Sequence, residues 1–377
     1  MDDQADVIVI GAGVIGLSTA LRLQQAGLNV ALLERGYCGR EASWAGAGIV
    51  SPGNPHRHDS LYEIHCASLD RYPDFCAELE ELSGFDVEYR RCGALDFLVT
   101  EQFVQMAQSN VRVTAEAKTP EGKPVLELLT PEQAAEIEPE VTGECHAFLH
   151  CRRTAQVRNP RLLAALVTAC ERTGVRIVEE SPVESYELQG ERVVGATAAG
   201  ITYHAKHVVL CAGAWSSQIG PTAVSALIPV TPVRGQIVLA KLPEPPFTHV
   251  INRRDNYLVP RDDGHVLIGT TKEPEAGYDK RNTAKETAQL MNTAVEMVPR
   301  LAEAAVPGMW AGLRPDTPDH RPYIGPVPGF GGLIAATGHF RIGLTLAPIT
   351  ADIVRDLIVN GKSEFDLERC KPGRSFV

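Results

Sequence analysis

The 377-residue chain has 44% hydrophobic and 22% charged side chains, the balance of a folded globular protein with two or three domains rather than of a disordered one. Its formal net charge of −11 argues against nucleic acid or an acidic membrane surface as a main partner, while leaving the charge of any single pocket open. Nine scattered cysteines, an odd number with no Cys-x-x-Cys pair, indicate neither a disulfide framework nor a zinc site.

The first six residues carry three acids and no base, so no secretion signal is expected, and no run reaches the ~20 apolar residues that span a bilayer. A reducing cytoplasm is the expected compartment. Chain order then begins with an apolar strand at Asp6–Ile10, a helix from about Val14 to Ala26 and a second apolar strand at Asn29–Glu34. Strands that are apolar throughout belong to a parallel sheet buried on both faces. The small-residue segment Gly39–Gly53 precedes a helical stretch around His65–Leu82, and residues 91–100 read as a strand. Thr130-Pro131-Glu132-Gln133 starts a helix, with Pro at the first helical position and Gln answering the Thr cap.

Asn159–Thr173 is again helical, and Val175–Val178, Val193–Thr197 and His207–Cys211 return the chain to the sheet. From Thr231 to Thr271 the pattern is extended, with short strands at Gly235–Ala240, Tyr257–Pro260 and His265–Gly269. This predicts an antiparallel sheet in a second layer. Gly332–Ala336 and a helix ending near Val359 read as a further strand and helix of the first unit. The expected fold class is α/β: a discontinuous Rossmann-type domain (residues 1–90, 145–225 and 305–377) beside an α+β domain on an antiparallel sheet (residues 91–144 and 226–304).

The turn Gly11-Ala-Gly13-Val-Ile-Gly16 carries the first chemistry. Gly11 permits the tight turn, Gly13 lets the backbone approach a pyrophosphate, and Gly16 allows helix and strand to pack closely. The helix N-terminus at Val14 and Ile15 presents N–H groups to phosphate. Glu34, ending the second strand, is placed for the adenosine ribose hydroxyls. Arg40–Gly48 suggests that a second backbone segment lies against a large planar ring, which favours FAD over NAD.

With these residues in place, the chain resembles the D-amino-acid oxidase superfamily of FAD-dependent oxidoreductases, and within it the glycine oxidase branch linked to thiamine biosynthesis. The resemblance runs from Asp6 to about Leu357. It rests on Gly11–Gly16 with Glu34-Arg35, on Ala42-Ser43 with Ala47-Gly48-Ile49, and on Cys211-Ala212-Gly213-Ala214-Trp215. Its most specific parts are Gly312–Asp319 and Ala336–Gly343. It implies a flavin at the interface of the two domains, contacted by those residues and by Val183, Gly338, His339, Phe340, Arg341, Ile342, Gly343 and Leu344. The helix that follows would point its N-terminus at the pyrimidine edge, where a helix dipole stabilises negative charge. Related sarcosine oxidases tether their flavin through a cysteine near the position of Gly312; no cysteine occurs here between Cys211 and Cys370, so FAD is expected to be non-covalent.

The resemblance further implies Arg314 as the bidentate partner of a substrate carboxylate, Tyr257 as a hydroxyl donor to it, and Arg341 as a second arginine close by. Each has a plainer reading: Arg314 could pair with Asp316 or Asp319, Tyr257 could be a core residue, and Arg341 could hold the loop before the last helix. His339 is tempting as a base, but oxidation of a neutral amine requires none. His56-Arg57-His58-Asp59 reads as a solvated loop, so no metal is expected. Ile342 and Ile49 stand where many glycine oxidases have Asn and Met, which leaves the pocket's size and polarity open. The expected reaction converts glycine, O2 and water to glyoxylate, ammonia and hydrogen peroxide. A D-amino-acid or N-substituted glycine oxidase, a dehydrogenase with another acceptor, and a catalytically silent FAD subunit are the alternatives. A homo-oligomer is left open.

Overall fold

The computed structural model describes residues 4–53, 55 and 60–376. Its first sheet has the order Tyr323–Pro326, Leu333–Thr337, Ile201–Leu210, Gln4–Ile10, Val30–Leu33, Arg176–Val178. Four of the five neighbour pairs on this path are parallel, only Tyr323–Pro326 with Leu333–Thr337 being antiparallel. Gln4–Ile10 sits between Ile201–Leu210 and Val30–Leu33, and Arg192–Ala198 and Val183–Gln189, branching from Ile201–Leu210, complete eight strands. Val7, Ile8 and Val9 are fully buried because both faces are covered. Helices Val14–Gln25, Ser60–Ser83, Asn159–Thr173 and Gly343–Val359 pack into one apolar core with Val7 and Val9. On the other face, Ile8 and Ile10 join a core with the antiparallel strands Val183–Gln189 and Arg192–Ala198 and the segment that follows Gly213.

The second sheet also has eight strands, in the order Ala305–Asp316, Thr231–Lys241, His265–Gly269, Asn256–Pro260, Val250–Arg253, Ala94–Leu98, Ala147–Cys151, Leu126–Leu129. It is antiparallel except where Val250–Arg253 runs parallel to Ala94–Leu98. Helix Ala284–Met297 covers one face. The other face meets the first domain and helix Glu101–Val113. Helix Pro131–Ile137 begins with the expected reciprocal cap between Thr130 and Gln133.

Two strands lie across the expected domain boundaries. Ala147–Cys151 pairs with Ala94–Leu98, and Ala305–Asp316 forms a long ribbon with Thr231–Lys241, so both belong to the second sheet. The expected boundaries at 145 and 305 assigned them to the first. A half-buried strand has the same local pattern in either sheet, and only its partner decides membership. Among the described residues no helix is long and apolar enough to cross a membrane. None of the nine cysteines is in a disulfide.

Candidate active site

The local sequence builds the glycine-turn end of the site directly. Gly11 has φ +100°, and a Cβ there would stand 2.6 Å from the Cys211 carbonyl oxygen. A Cβ on Gly16 would lie 1.8 Å from the Gly11 carbonyl oxygen, so helix and turn close only on glycine. The Ala12 and Gly36 N–H groups donate to the two oxygens of Glu34, at 2.8 and 2.9 Å, and the buried carboxylate keeps further lone pairs toward the cavity. Arg35 lies over Trp215, 3.5 Å from the ring centroid, and bonds Glu41, which gives that end of the cavity a rigid cationic wall.

The second backbone segment is held from three sides. Ser43 Oγ accepts the Val14 N–H at 2.9 Å, Asn159 donates to the Ser43 carbonyl at 2.8 Å, and Trp310 donates to the Ala45 carbonyl at 2.9 Å. The Val14 amide is therefore already engaged, leaving Ile15 and Gly16 at the open end of the helix. Arg261 is buried and donates to Gln156 and to the Ala47 carbonyl, clamping the second sheet onto the Ala47-Gly48 backbone. Burial pushes its guanidinium down to about 10, with Arg158 adding to the effect. Opposite, the loop from Gly338 to Ile342 leads into helix Gly343–Val359, and the Phe340 N–H is fixed by the Pro315 carbonyl.

Arg314 stands at the junction of the two sheets. It donates to the Thr271 carbonyl at 3.1 Å and to Thr270 Oγ1 at 2.5 Å. Among the described residues it forms no ion pair. Asp316 instead meets His320, and Asp319 meets Arg374, so neither candidate partner is available to it. Burial lowers the Arg314 pKa; the Tyr257 hydroxyl opposes that and Arg341 adds to it. Tyr257 is raised, first by burial and against the pull of Arg314. Arg341 bonds Asp255 at 3.0 Å across the tip of the hairpin formed by Val250–Arg253 and Asn256–Pro260. His339 is buried beside Thr350 and pushed down to about 3 by desolvation, hence neutral at ordinary pH.

One cavity of about 850 Å³ connects these parts. Gly11, Gly13, Val14, Ile15, Glu34, Arg35, Ala42, Ser43, Ala47, Gly48, Ile49, Val183, Ala212, Gly213 and Trp215 line it, as do Tyr257, Arg314 and every residue from Gly338 to Leu344. Gly16 lies just behind, closing the turn. The cavity is bounded at the glycine turn by backbone that no side chain could approach as closely, and its size fits a dinucleotide carrying a flat ring. Other contributors were not legible in the sequence. Gly235 and Gly269 make room for the site, since a Cβ would stand 2.1 Å from an Arg314 nitrogen and 2.4 Å from the Tyr257 ring. Thr270, Thr271, Arg261 and Asp96 were missed too. Their one sequence signal is Gly269-Thr270-Thr271 ending a strand. Among the described residues no group of three or more His, Cys, Asp or Glu is placed to hold a metal; His56–Asp59 lie outside them.

A Gly-rich strand–turn–helix, a buried acid beside it and a large cavity where the two sheets meet define an oxidoreductase with a bound dinucleotide cofactor. The model of the FAD dependent oxidoreductase family matches residues 6–357, and the chain belongs to that family. Its cofactor is FAD. The chain is 38% identical over 357 residues to a glycine oxidase of Pseudomonas aeruginosa, covering 93% of this chain and 94% of that protein. It is 36% identical to a glycine oxidase of Pseudomonas putida, covering 96% of each. The crystal structure of glycine oxidase from Geobacillus kaustophilus superposes with a TM-score of 0.89 at 28% identity, covering 99% of this chain and 100% of that one.

Proposed function

We propose that this chain is an amino-acid oxidase of the glycine oxidase type, converting glycine, O2 and water to glyoxylate, ammonia and hydrogen peroxide. The observation that carries the reading is Arg314: a guanidinium without a carboxylate partner among the described residues, facing the cavity next to Tyr257. It has five N–H donors, and its two protein acceptors leave a fork for a carboxylate. In this reading the Thr270 hydroxyl and the Thr271 carbonyl aim that fork, and Tyr257 adds a neutral donor. Arg341 contributes positive potential near the mouth while held by Asp255.

Bound FAD supplies the two-electron oxidation of the amine carbon. The protein's share is position: the carboxylate fixed at Arg314 sets the direction in which the α-carbon projects. No side chain is assigned as a base. His339 is neutral but buried against Thr350, and an amine that enters deprotonated needs no acceptor from the chain. The cavity residues named above other than Tyr257 and Arg314 hold the cofactor in this reading. The first-sheet residues form the flavin domain and the second sheet the substrate domain. A catalytically silent subunit has no use for an unpaired arginine there, since a buried charge without partner is costly. The test is a peroxide-coupled assay of the purified yellow protein against glycine, sarcosine, D-alanine and D-proline. Peroxide formed with glycine supports the reading. Reduction of an artificial dye without peroxide replaces O2 by another acceptor, and no turnover of any of the four sinks it.

A further inference from the structure

The cavity does not end at Arg314. It continues across the face of the second sheet, over Asn252, Asp96, Ala94, Leu149 and Leu126, to Asn110 on helix Glu101–Val113. Strand register sets this path. Tyr257 stands opposite Asn252, Asn252 beside Asp96, and Asp96 opposite Leu149. Registered neighbours share a face, and two strand spacings put the Asp96 backbone roughly 10 Å from that of Tyr257.

The far lobe is rich in acceptors. Asp96 Oδ1 takes one bond, from Asn252 Nδ2 at 2.6 Å, and none of the described residues donates to its other oxygen. Asn110 Oδ1 is buried without a partner. Ala94, Leu126 and Leu149 supply the apolar walls. Arg153 also lines the cavity, but it is committed to Asp70 and to the Cys66 carbonyl. Burial pushes the Asp96 carboxyl up to about 6, as expected of an acid that no cation among the described residues neutralises. The cavity thus presents donors at one end and acceptors at the other.

We propose that Asp96 is a specificity-determining residue, and that its lobe selects glycine derivatives bearing a short arm that ends in an ammonium group. The inference rests on the proposed role of Arg314 as carboxylate anchor. With the carboxylate there, a zwitterion with a cationic arm spans the cavity and meets a complementary group at each end. An uncharged arm leaves the Asp96 carboxylate desolvated without a partner, and a second carboxylate in the arm is repelled by it.

The test compares N-(2-aminoethyl)glycine, its near-isostere N-propylglycine, and iminodiacetate, with glycine as the control, on the FAD-loaded protein. In the native chain kcat/KM should favour the aminoethyl over the propyl compound at least about tenfold. In Asp96→Asn that ratio should fall to about one, and iminodiacetate should improve relative to N-propylglycine. Each ratio is internal to one variant, so a general loss of activity cancels. An equal aminoethyl-to-propyl ratio in both proteins, with glycine turned over, overturns the proposal and leaves the glycine oxidase reading standing. Should glycine not be oxidised, that reading fails by itself, and ligand-induced thermal stabilisation decides about the lobe. Greater stabilisation by the aminoethyl compound than by the propyl compound, lost in Asp96→Asn, supports it; equal stabilisation refutes it.

Discussion

Replacing Arg314 by Ala removes a guanidinium whose protein acceptors, Thr270 Oγ1 and Thr271 O, can be released to water or to one another at little cost. The substrate carboxylate has no such substitute. Loss of one partner from a desolvated, hydrogen-bonded charge pair costs roughly 2–5 kcal/mol. At about 1.4 kcal/mol per tenfold, kcat/KM for glycine should drop at least ~30-fold. Arg314→Lys should regain only part, since a point charge cannot copy a planar fork. Gly235→Ala provides a variant that leaves the arginine in place. Its methyl group would occupy space 2.1 Å from an Arg314 nitrogen, so the flexible end of the side chain must move while the strand stays paired. KM should rise with little change in melting temperature or FAD content. Steady-state kinetics, flavin absorbance and thermal melts on the same samples check all three variants. If Arg314 were structural, Ala and Lys would both lower stability and flavin content while the remaining folded enzyme kept its KM. An unchanged KM in all three proteins would refute the assignment.

Acid precipitation should release intact FAD into the supernatant, because the two thiols bordering the cavity, Cys151 and Cys211, are raised by burial and stay protonated; flavin pelleting with the protein would contradict this. Activity should climb with pH toward the pKa of the substrate amine, as His339 at about 3 and the raised Tyr257 do not change charge between pH 6 and 9; a kcat/KM that declines across that range in stable enzyme counts against it. Asp96 should make stability pH-dependent with a definite sign. Its folded value near 6 lies above the ordinary 3.8, so the folded state binds more protons between the two, and the ionised carboxyl destabilises the fold above about pH 6. Asp96→Asn should therefore melt higher than the native protein at pH 7.5, by at most ~3 kcal/mol, with the advantage fading as pH falls from 6 to 4. Parallel melting curves across that range measure the effect, and a difference independent of pH would exclude it.

The glycine turn and the acid beside it were legible before any fold was known, because their constraints are local. Gly11, Gly13 and Gly16 lie within six residues on one strand–turn–helix, and the close approaches at Gly11 and Gly16 are to backbone of that unit or of the neighbouring parallel strand, while a Cβ on Gly13 would meet Ser43 Oγ at 3.1 Å. Glu34 follows from the same geometry, since the second strand of a parallel pair ends beside the first turn. Sequence also suggested Arg314 and Tyr257, but it could not tell an anchor from a salt bridge. The salt bridge to either acid is ruled out by Arg374, near the other end of the chain, which takes Asp319, and by His320, which takes Asp316, leaving the guanidinium without an ion-pair partner among the described residues. The second sheet shows the same dependence on distant partners. Ala147–Cys151 and Ala305–Asp316 look like strands of either domain, and the row Tyr257–Asn252–Asp96 exists only because three strands far apart in sequence align in one register. Local sequence governs turns, caps and apolar runs through backbone sterics and hydrogen bonding. Which side chains meet across a sheet depends on register, and register is settled by the packing of the whole molecule.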